Sequence, residues 1–260
     1  MKYYDQHLHT HHSFDSQESF EHYLNTYQPD YFVSTEHLDF DNPYTGGKDS
    51  IPDYLAYQSE IAQLTQNYST TILKGIEVGY VDTHHDRIAR FLTPKHYDVI
   101  LLSVHQDGDI DYMDDCVKKL NPQDLIIDYY SRMINAVKST DFANILTHFD
   151  YGMRRISLSV ENFKEMAEPL LIELFNEVIK KQLAFELNAK SFIKYNNRAL
   201  YEYAVPLYQS LGGKLFTLGS DAHKAEDYQL GFDEMAQFLR DLGVTELATY
   251  QNQQLKMVPL

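Results

Sequence analysis

The sequence predicts an α/β fold, a distorted TIM-like (β/α)7 barrel with a metal site at the C-terminal ends of its strands. Short apolar runs alternate with segments of helical spacing seven times along the chain. Such alternation is typical of parallel strands joined by right-handed crossovers. The apolar runs end in histidine or carboxylate residues, at the strand ends where such barrels place their chemistry.

The predicted strands are short runs of β-branched and aromatic residues. They cover residues 3–9, 30–35, 71–78, 98–104, 144–147, 183–187 and 214–218. Between and after them, apolar residues recur with the spacing of one helix face. The predicted helices cover residues 18–27, 52–67, 84–91, 122–139, 159–181, 200–211 and 225–242.

Local chemistry predicts several helix boundaries. Asn121 before Pro122 indicates an N-cap with proline at the first helical position. Gly212 and Gly213 follow the 200–211 helix and can adopt the left-handed conformation that ends a helix. Pro169 lies within a helical pattern, which predicts either a kink or the start of a new helix.

Composition limits the class of protein. The chain has 260 residues without a linker-like stretch, which predicts one domain over residues 1–260. A net charge of −16 disfavours nucleic acid as a partner, because that binding needs Lys and Arg to neutralise phosphates. We find no signal segment and no run of about 18 apolar residues, so we expect no membrane partner. The single cysteine, Cys116, fits the cytoplasm. The oligomeric state stays open.

Paired ligand-type residues mark the two ends of the chain. His7 and His9 are two residues apart, so they point to the same face of a strand. Asp221 and His223 repeat this spacing after the last predicted strand. The first and last strands of a barrel are neighbours, and imidazole and carboxylate are the usual ligands of Zn, Mn and Fe. One such pair alone is weak evidence, but the set at seven strand ends predicts a polynuclear metal site.

The motifs resemble those of the polymerase and histidinol phosphatase (PHP) family, and within it the monofunctional histidinol-phosphatases. The resemblance spans nearly the whole chain, and the Gly-Ser-Asp-Ala-His sequence at 219–223 is its most characteristic part. The other matching segments are Asp5-x-His7-x-His9-Thr-x-x-Ser13, Thr35-Glu36-His37, Gly75-Ile-Glu77, His105, Thr147-His148-Phe-Asp150 and Glu186-Leu-Asn188.

The resemblance implies a centre of three divalent metal ions, with Zn, Mn or Fe as candidates. The first ion would take His7, His9, Glu77 and Asp221. The second would share Glu77 and add His105 and His148. The third would take Asp15, His37 and His223, with His12 as the alternative to Asp15. We expect Asp5 and Asp150 either to orient ligand imidazoles or to have a structural role. We expect the remaining histidines to be solvated or to contact the ligands, rather than to bind metal.

The implied reaction is the hydrolysis of L-histidinol phosphate to L-histidinol and phosphate in histidine biosynthesis. A metal-bridging hydroxide would attack phosphorus, and Glu77, Asp221 and His105 are the expected catalytic residues. A guanidinium can hold a phosphate with paired donors. Arg154, Arg198 and Arg155 follow strand ends and are the candidates, with Lys190 next.

Two other functions remain open from the sequence. A phosphoesterase of the same fold could act on another small phosphomonoester or on a nucleotide. A non-catalytic metal-binding domain is the second alternative, but every expected ligand position is filled. The substrate in either catalytic case is a small molecule. Acidic residues in the loops 39–49 and 107–114 are candidates for contacts with a substrate that carries an amine and an imidazole.

Overall fold

The computed structural model describes residues 3–260, in which a seven-stranded sheet curves around a metal-ligand cluster. The strand order is β2-β1-β3-β4-β5-β6-β7. All neighbouring strands are parallel except β2, which is antiparallel to β1 at the edge. The strands are β1 (Tyr31–Asn42), β2 (Lys48–Ser50), β3 (Thr71–Gly79), β4 (Val99–Ser103), β5 (Ile145–Leu146), β6 (Ala184–Asn188) and β7 (Phe216–Gly219). The predicted α/β barrel class is confirmed.

Seven α-helices connect or follow these strands within residues 3–260. They are α1 (Phe20–Tyr27), α2 (Tyr54–Asn67), α3 (His85–Leu92), α4 (Pro122–Ser139), α5 (Val160–Lys180), α6 (Arg198–Ser210) and α7 (Phe232–Asp241). Asn121 caps α4 as predicted, because its side chain accepts hydrogen bonds from the backbone N–H groups of Gln123 and Asp124. Gly212 has φ of 99° after α6, which confirms the predicted left-handed stop. α5 continues through Pro169, so no new helix begins there.

The segment predicted as the first strand closes the sheet without forming a regular strand. Asp5 and Leu8 make isolated parallel bridges to Leu218 and Ala222, beside β7. On the other side, the Thr35 N–H in β1 donates to the Leu8 carbonyl at 2.7 Å. The ladder is interrupted because side chains take the intervening donors: the His7 N–H donates to Asp5 Oδ1 and the Leu8 N–H to Thr35 Oγ1. The two ends of the barrel are neighbours, as predicted.

Side-chain alternation divides the barrel into layers. In β3, Ile72, Ile76 and Val78 belong to the larger core that includes the helices. Leu73 belongs to a separate cluster inside the barrel, and Glu77, four residues further on, lies in the metal-ligand layer. The inner cluster consists of Val33, Leu73, Val99, Leu101, Ile145, Ala184, Ala248 and Tyr250. An apolar layer therefore underlies the polar strand ends.

A C-terminal hairpin that the sequence pattern did not predict covers the other end of the barrel. Its strands are β8 (Glu246–Gln251) and β9 (Gln254–Pro259), paired antiparallel. Ala248 and Tyr250 join the inner apolar cluster, and the backbone N–H groups of Asn252 and Gln253 donate to Asp98 before β4. No helix within residues 3–260 is both long and apolar enough to cross a membrane.

Strand β1 is longer than predicted, and the extra length reaches the site. The predicted strand ended at residue 35, but β1 continues to Asn42 and then turns into β2. Thr35, His37 and Asp39 alternate along one face of this extension. The polar character of this stretch suggested a loop, yet the side chains are buried in the metal-ligand layer.

Candidate metal centre

The imidazoles of the metal-ligand cluster surround one buried carboxylate, that of Glu77 near the end of β3. Glu77 is 0% exposed. Imidazole nitrogens lie between 2.9 and 3.3 Å from its two oxygens. The five rings are those of His7, His9, His37, His105 and His148. One carboxylate therefore contacts side chains from the N-terminal segment, β1 and the ends of β4 and β5.

The residues after β7 join this cluster from the other end of the chain. Asp221 Oδ1 lies 3.8 Å from His9 Nε2. The Asp221 N–H donates to the His7 carbonyl at 2.7 Å, which fixes the two segments side by side. Asp221 has a left-handed φ of 54°, a conformation that costs a non-glycine residue free energy and that is often found at functional sites. The predicted pairing of the HxH and DxH motifs is present.

The three residues predicted to hold a third ion also come together. Asp15 Oδ2 lies 2.9 Å from His223 Nε2 and 3.6 Å from His37 Nε2. His12, the alternative to Asp15, lies apart from this group. Its Nε2 is instead 2.7 Å from Glu60 Oε2. The geometry therefore favours Asp15.

Two further carboxylates orient the imidazoles. Asp39 Oδ1 lies 2.8 Å from His105 Nδ1, so the Nδ1–H donates to Asp39 and Nε2, which faces Glu77 at 3.1 Å, is the nitrogen left to bind a metal. Glu186 Oε1 lies 2.7 Å from His7 Nδ1 and fixes that ring in the same way. Metal-ligating histidines usually have such a partner on the nitrogen that does not bind the metal.

Two glycines provide the space for these carboxylates. A Cβ atom on Gly79 would lie 1.8 Å from Asp39 Oδ1, and one on Gly219 would lie 2.1 Å from Glu186 Oε1. Both strands end in glycine where a side-chain oxygen must approach the backbone. Gly79 and Gly219 thus allow Asp39 and Glu186 to reach the imidazoles that they orient.

The electrostatics favour a charged carboxylate at the centre and divide the imidazoles into two groups. Burial alone would raise the pKa of Glu77, but the surrounding imidazoles, His7 foremost, lower it well below its usual range. Burial lowers the pKa of His9 and of His148. For His7, His37 and His105 the neighbouring carboxylates outweigh burial and raise the pKa, so a metal that binds these three rings displaces their protons.

Unpaired polar atoms indicate that cations belong in this cluster. Glu77 Oε2, His37 Nδ1 and His148 Nδ1 are buried and have no hydrogen-bond partner among the described residues. Leaving such atoms unsatisfied is costly. Glu77 Oε2 and His37 Nδ1 lie only 3.2 Å apart, so positive charge close to this pair would stabilise the carboxylate and the imidazole together. The donor set of imidazole and carboxylate suits Zn, Mn or Fe.

A cavity of about 220 Å³ opens above the ligand cluster. Arg154 lines it, with a side chain only 2% exposed. The guanidinium donates from Nε to Ser191 Oγ and from Nη2 to Asn188 Oδ1, and it lies 3.3 Å from Asp221 Oδ2. Lys190 also lines the cavity and lies 3.0 Å from Asp221 Oδ1. Two cationic side chains therefore face the space beside the ligands.

The other two predicted phosphate-binding arginines lie outside this cavity. Arg198 is 45% exposed at the start of α6 and pairs with Glu202 and Glu234. Arg155, although next to Arg154 in sequence, points away and pairs with the exposed Asp115. Neither Arg198 nor Arg155 lines the cavity and both pair with surface carboxylates, so this placement gives no support to their predicted contact with phosphate.

For Asp5 and Asp150 the sequence leaves two roles open, orienting an imidazole or a structural role. Asp5 accepts the backbone N–H groups of His7 and Ser220, so it joins two chain segments rather than orienting a ring. Asp150 accepts hydrogen bonds from Tyr201 and Asn197. Both have the structural role that was the alternative.

Of the two carboxylates that orient the rings, Glu186 could be predicted from the sequence and Asp39 could not. Glu186 belongs to the strand-end motif Glu186-Leu-Asn188, which received no role. Its second carboxylate oxygen accepts the His148 N–H, so it serves two ligands. Asp39 carried no comparable signal, because its position on β1 depends on the unexpected length of that strand.

Comparison with known proteins agrees with this geometry. Residues 5–190 match the PHP domain. The chain belongs to the PHP family. This PHP chain is 27% identical over 265 residues to the histidinol-phosphatase of Lactococcus lactis, covering 98% of this chain and 97% of that protein. It is 23% identical over 247 residues to a probable histidinol-phosphatase of Thermotoga maritima, covering 94% of each.

A crystal structure of the Lactococcus lactis histidinol phosphate phosphatase, in complex with Zn, L-histidinol and phosphate, also resembles this PHP protein. The TM-score is 0.86 at 25% sequence identity, and the match covers 97% of this chain and 98% of that one. The likeness therefore extends over nearly the full length. The predicted family membership is confirmed.

Replacing Asp39 tests the orientation of His105. Asp39→Asn removes the carboxylate charge that holds the His105 ring, so we expect divalent-metal affinity to fall about 10- to 100-fold. Metal content is measured by elemental analysis after competition with a chelator. Asp141→Asn, at an exposed carboxylate paired with Lys181, is the control and should change nothing. Equal metal retention in both variants would contradict the orienting role.

Proposed function

We propose that this protein is a metal-dependent phosphomonoesterase that hydrolyses L-histidinol phosphate to L-histidinol and phosphate. The observation that carries the proposal is the cavity in which seven of the nine proposed ligand residues and Arg154 meet, with the other two, His7 and His9, buried next to them. Full-length relatives named histidinol-phosphatase, and a similar structure that contains L-histidinol and phosphate, support the choice of substrate. Histidine biosynthesis, and with it a cytoplasmic location, would follow from that substrate.

The proposed centre holds three divalent ions, with the ligands divided as the resemblance implies. His7, His9, Glu77 and Asp221 would hold the first, Glu77, His105 and His148 the second, and Asp15, His37 and His223 the third. Convergence of all nine side chains supports this division. When bound, such ions activate water for attack on phosphorus and neutralise charge on the phosphoryl oxygens.

The protein residues have three tasks in this proposal. Asp39 and Glu186 hold the imidazole rings of His105 and His7 in the orientation that metal ligation needs. Arg154 binds phosphate oxygens that face away from the ligand cluster, because its rigid guanidinium is already held by Ser191 and Asn188. No serine or cysteine nucleophile is required.

The remaining lining of the cavity suits the organic part of histidinol phosphate. The aromatic side chains of Phe14, Tyr44 and Tyr195 offer faces for an imidazole ring. Asp111, a buried carboxyl whose hydrogen-bond partners include the Tyr151 hydroxyl, offers an acceptor for the amine. Tyr44 and Asp111 come from the two loops in which the sequence suggested contacts with the substrate.

Metal content tests the trinuclear centre. We expect close to three divalent ions per chain in the active protein, and loss of activity when a chelator removes them. Glu77→Ala should lower the content by more than one ion, because Glu77 is the shared ligand of two proposed ions and also contacts His37, a ligand of the third. The measurement is elemental analysis alongside phosphate release. An active protein that holds one ion or fewer would refute the trinuclear model.

Arg154 and Arg198 form a matched pair for testing phosphate contact. Arg154→Ala should cost about 2 to 4 kcal/mol of transition-state stabilisation, measured as kcat/KM at matched metal content. Arg154→Lys should recover only part of the rate, because an ammonium cannot form the planar paired contact. Arg198→Ala should leave kcat/KM near the value of the protein without substitutions, since Arg198 lies on the surface. A larger loss in Arg198→Ala than in Arg154→Ala would reverse the assignment.

A substrate panel tests the proposed function itself. Histidinol phosphate should give the highest kcat/KM among small phosphomonoesters, nucleotides and phosphodiesters assayed for phosphate release. A better nucleotide or another monoester would favour the alternative phosphoesterase. No turnover of any compound by fully metal-loaded protein would favour a non-catalytic metal-binding domain.

A further inference from the structure

A second group of metal-type ligands lies outside the proposed catalytic centre. His11 Nε2 lies 3.2 Å and His12 Nε2 2.7 Å from the same oxygen of Glu60, Oε2. The two imidazoles pack against one another with ring centroids 4.5 Å apart. None of these three side chains lines the cavity of the catalytic centre. The group joins the loop after His9 to helix α2.

The geometry of this group points to a cation. The ligand atoms of His11, His12 and Glu60 all lie within 4.8 Å of one another. His11 Nδ1 lies 3.4 Å from the backbone carbonyl of Glu18, which can only accept a hydrogen bond. The other ring nitrogen, Nε2, is turned toward Glu60 Oε2 at 3.2 Å. Nε2 of both histidines and the Glu60 carboxylate thus face one point.

The geometry is close to that of a metal site. Ligand atoms around a tetrahedral zinc ion lie about 3.4 Å apart, given metal–ligand distances of about 2.1 Å. The observed separations of 3.2 and 2.7 Å need only small side-chain movements to reach it. The Glu18 carbonyl is the kind of partner that fixes the tautomer of a ligating histidine. His12 is largely buried and His11 is 40% exposed, so the outer coordination positions are open to water.

We propose that His11, His12 and Glu60 form an accessory binding site for a divalent transition-metal ion such as Zn²⁺. Two imidazoles and one carboxylate favour ions of that class over Mg²⁺ or Ca²⁺, which prefer all-oxygen ligands. The bound ion cross-links the loop that carries Ser13 and Asp15 to helix α2. It therefore stabilises the folded protein without taking part in the reaction.

The experiment measures Zn²⁺ uptake by the purified unchanged protein and by its variants, each with the catalytic metals already bound. Equilibrium dialysis over a range of free Zn²⁺, followed by elemental analysis, should reveal one equivalent beyond the initial content. This equivalent should raise the Tm of the metal-loaded protein. His11→Asn and Glu60→Gln should each lose the additional equivalent and the rise in Tm, while keeping the initial metal content and kcat.

A matched control excludes general binding of Zn²⁺ by surface histidines. His22 Nδ1 lies 2.8 Å from Glu18 Oε1 and forms an exposed His–Glu pair without a second imidazole. His22→Asn should retain the additional equivalent. No further uptake by the unchanged protein would overturn the proposal. Equal uptake by the His11 and Glu60 variants would overturn it by locating the additional ion elsewhere.

Discussion

The Glu77 carboxylate, fully buried among five imidazoles, is the constraint on which the site depends. A carboxylate in that position is tolerable only if its charge is matched at close range, and here the match comes from rings supplied by four separate parts of the chain. Any change of strand register by one residue would turn these side chains to the opposite face of the sheet. The register of the barrel strands therefore determines which side chains meet around Glu77.

The apolar layer beneath the ligands makes this arrangement possible. Val33, Leu101 and Tyr250 belong to an inner cluster that fills the barrel below the polar layer. Dry packing on that side lowers the local dielectric, which strengthens each interaction among the charged groups above it. It also leaves the cavity on the opposite side as the route to the ligands. The unpredicted β8–β9 hairpin contributes Ala248 and Tyr250 to this apolar layer.

Sequence reasoning predicted the fold class, the ligand cluster and most helices, because each depends on local periodicity or on motifs at strand ends. It ended β1 too early because polar residues inside a barrel look like a loop when read alone; only the layered packing explains why Asp39 is buried there. The sequence ranks Arg155 below the other two arginines, but it does not separate Arg154 from Arg198. They differ only in the direction of the side chain, which depends on the turn after His148 and on nearby surface carboxylates.

The N-terminal segment closes the barrel by contacts with residues near the other end of the chain. The Ser220 hydroxyl donates to the His7 carbonyl across 213 residues of sequence. During synthesis on the ribosome, the HxH pair is made early, but Asp221 and His223, which follow β7, are made only when most of the chain has been synthesised. Two of the three proposed ligand sets therefore stay incomplete for most of elongation. We expect the ions of these two sets to be acquired only when the fold is nearly complete.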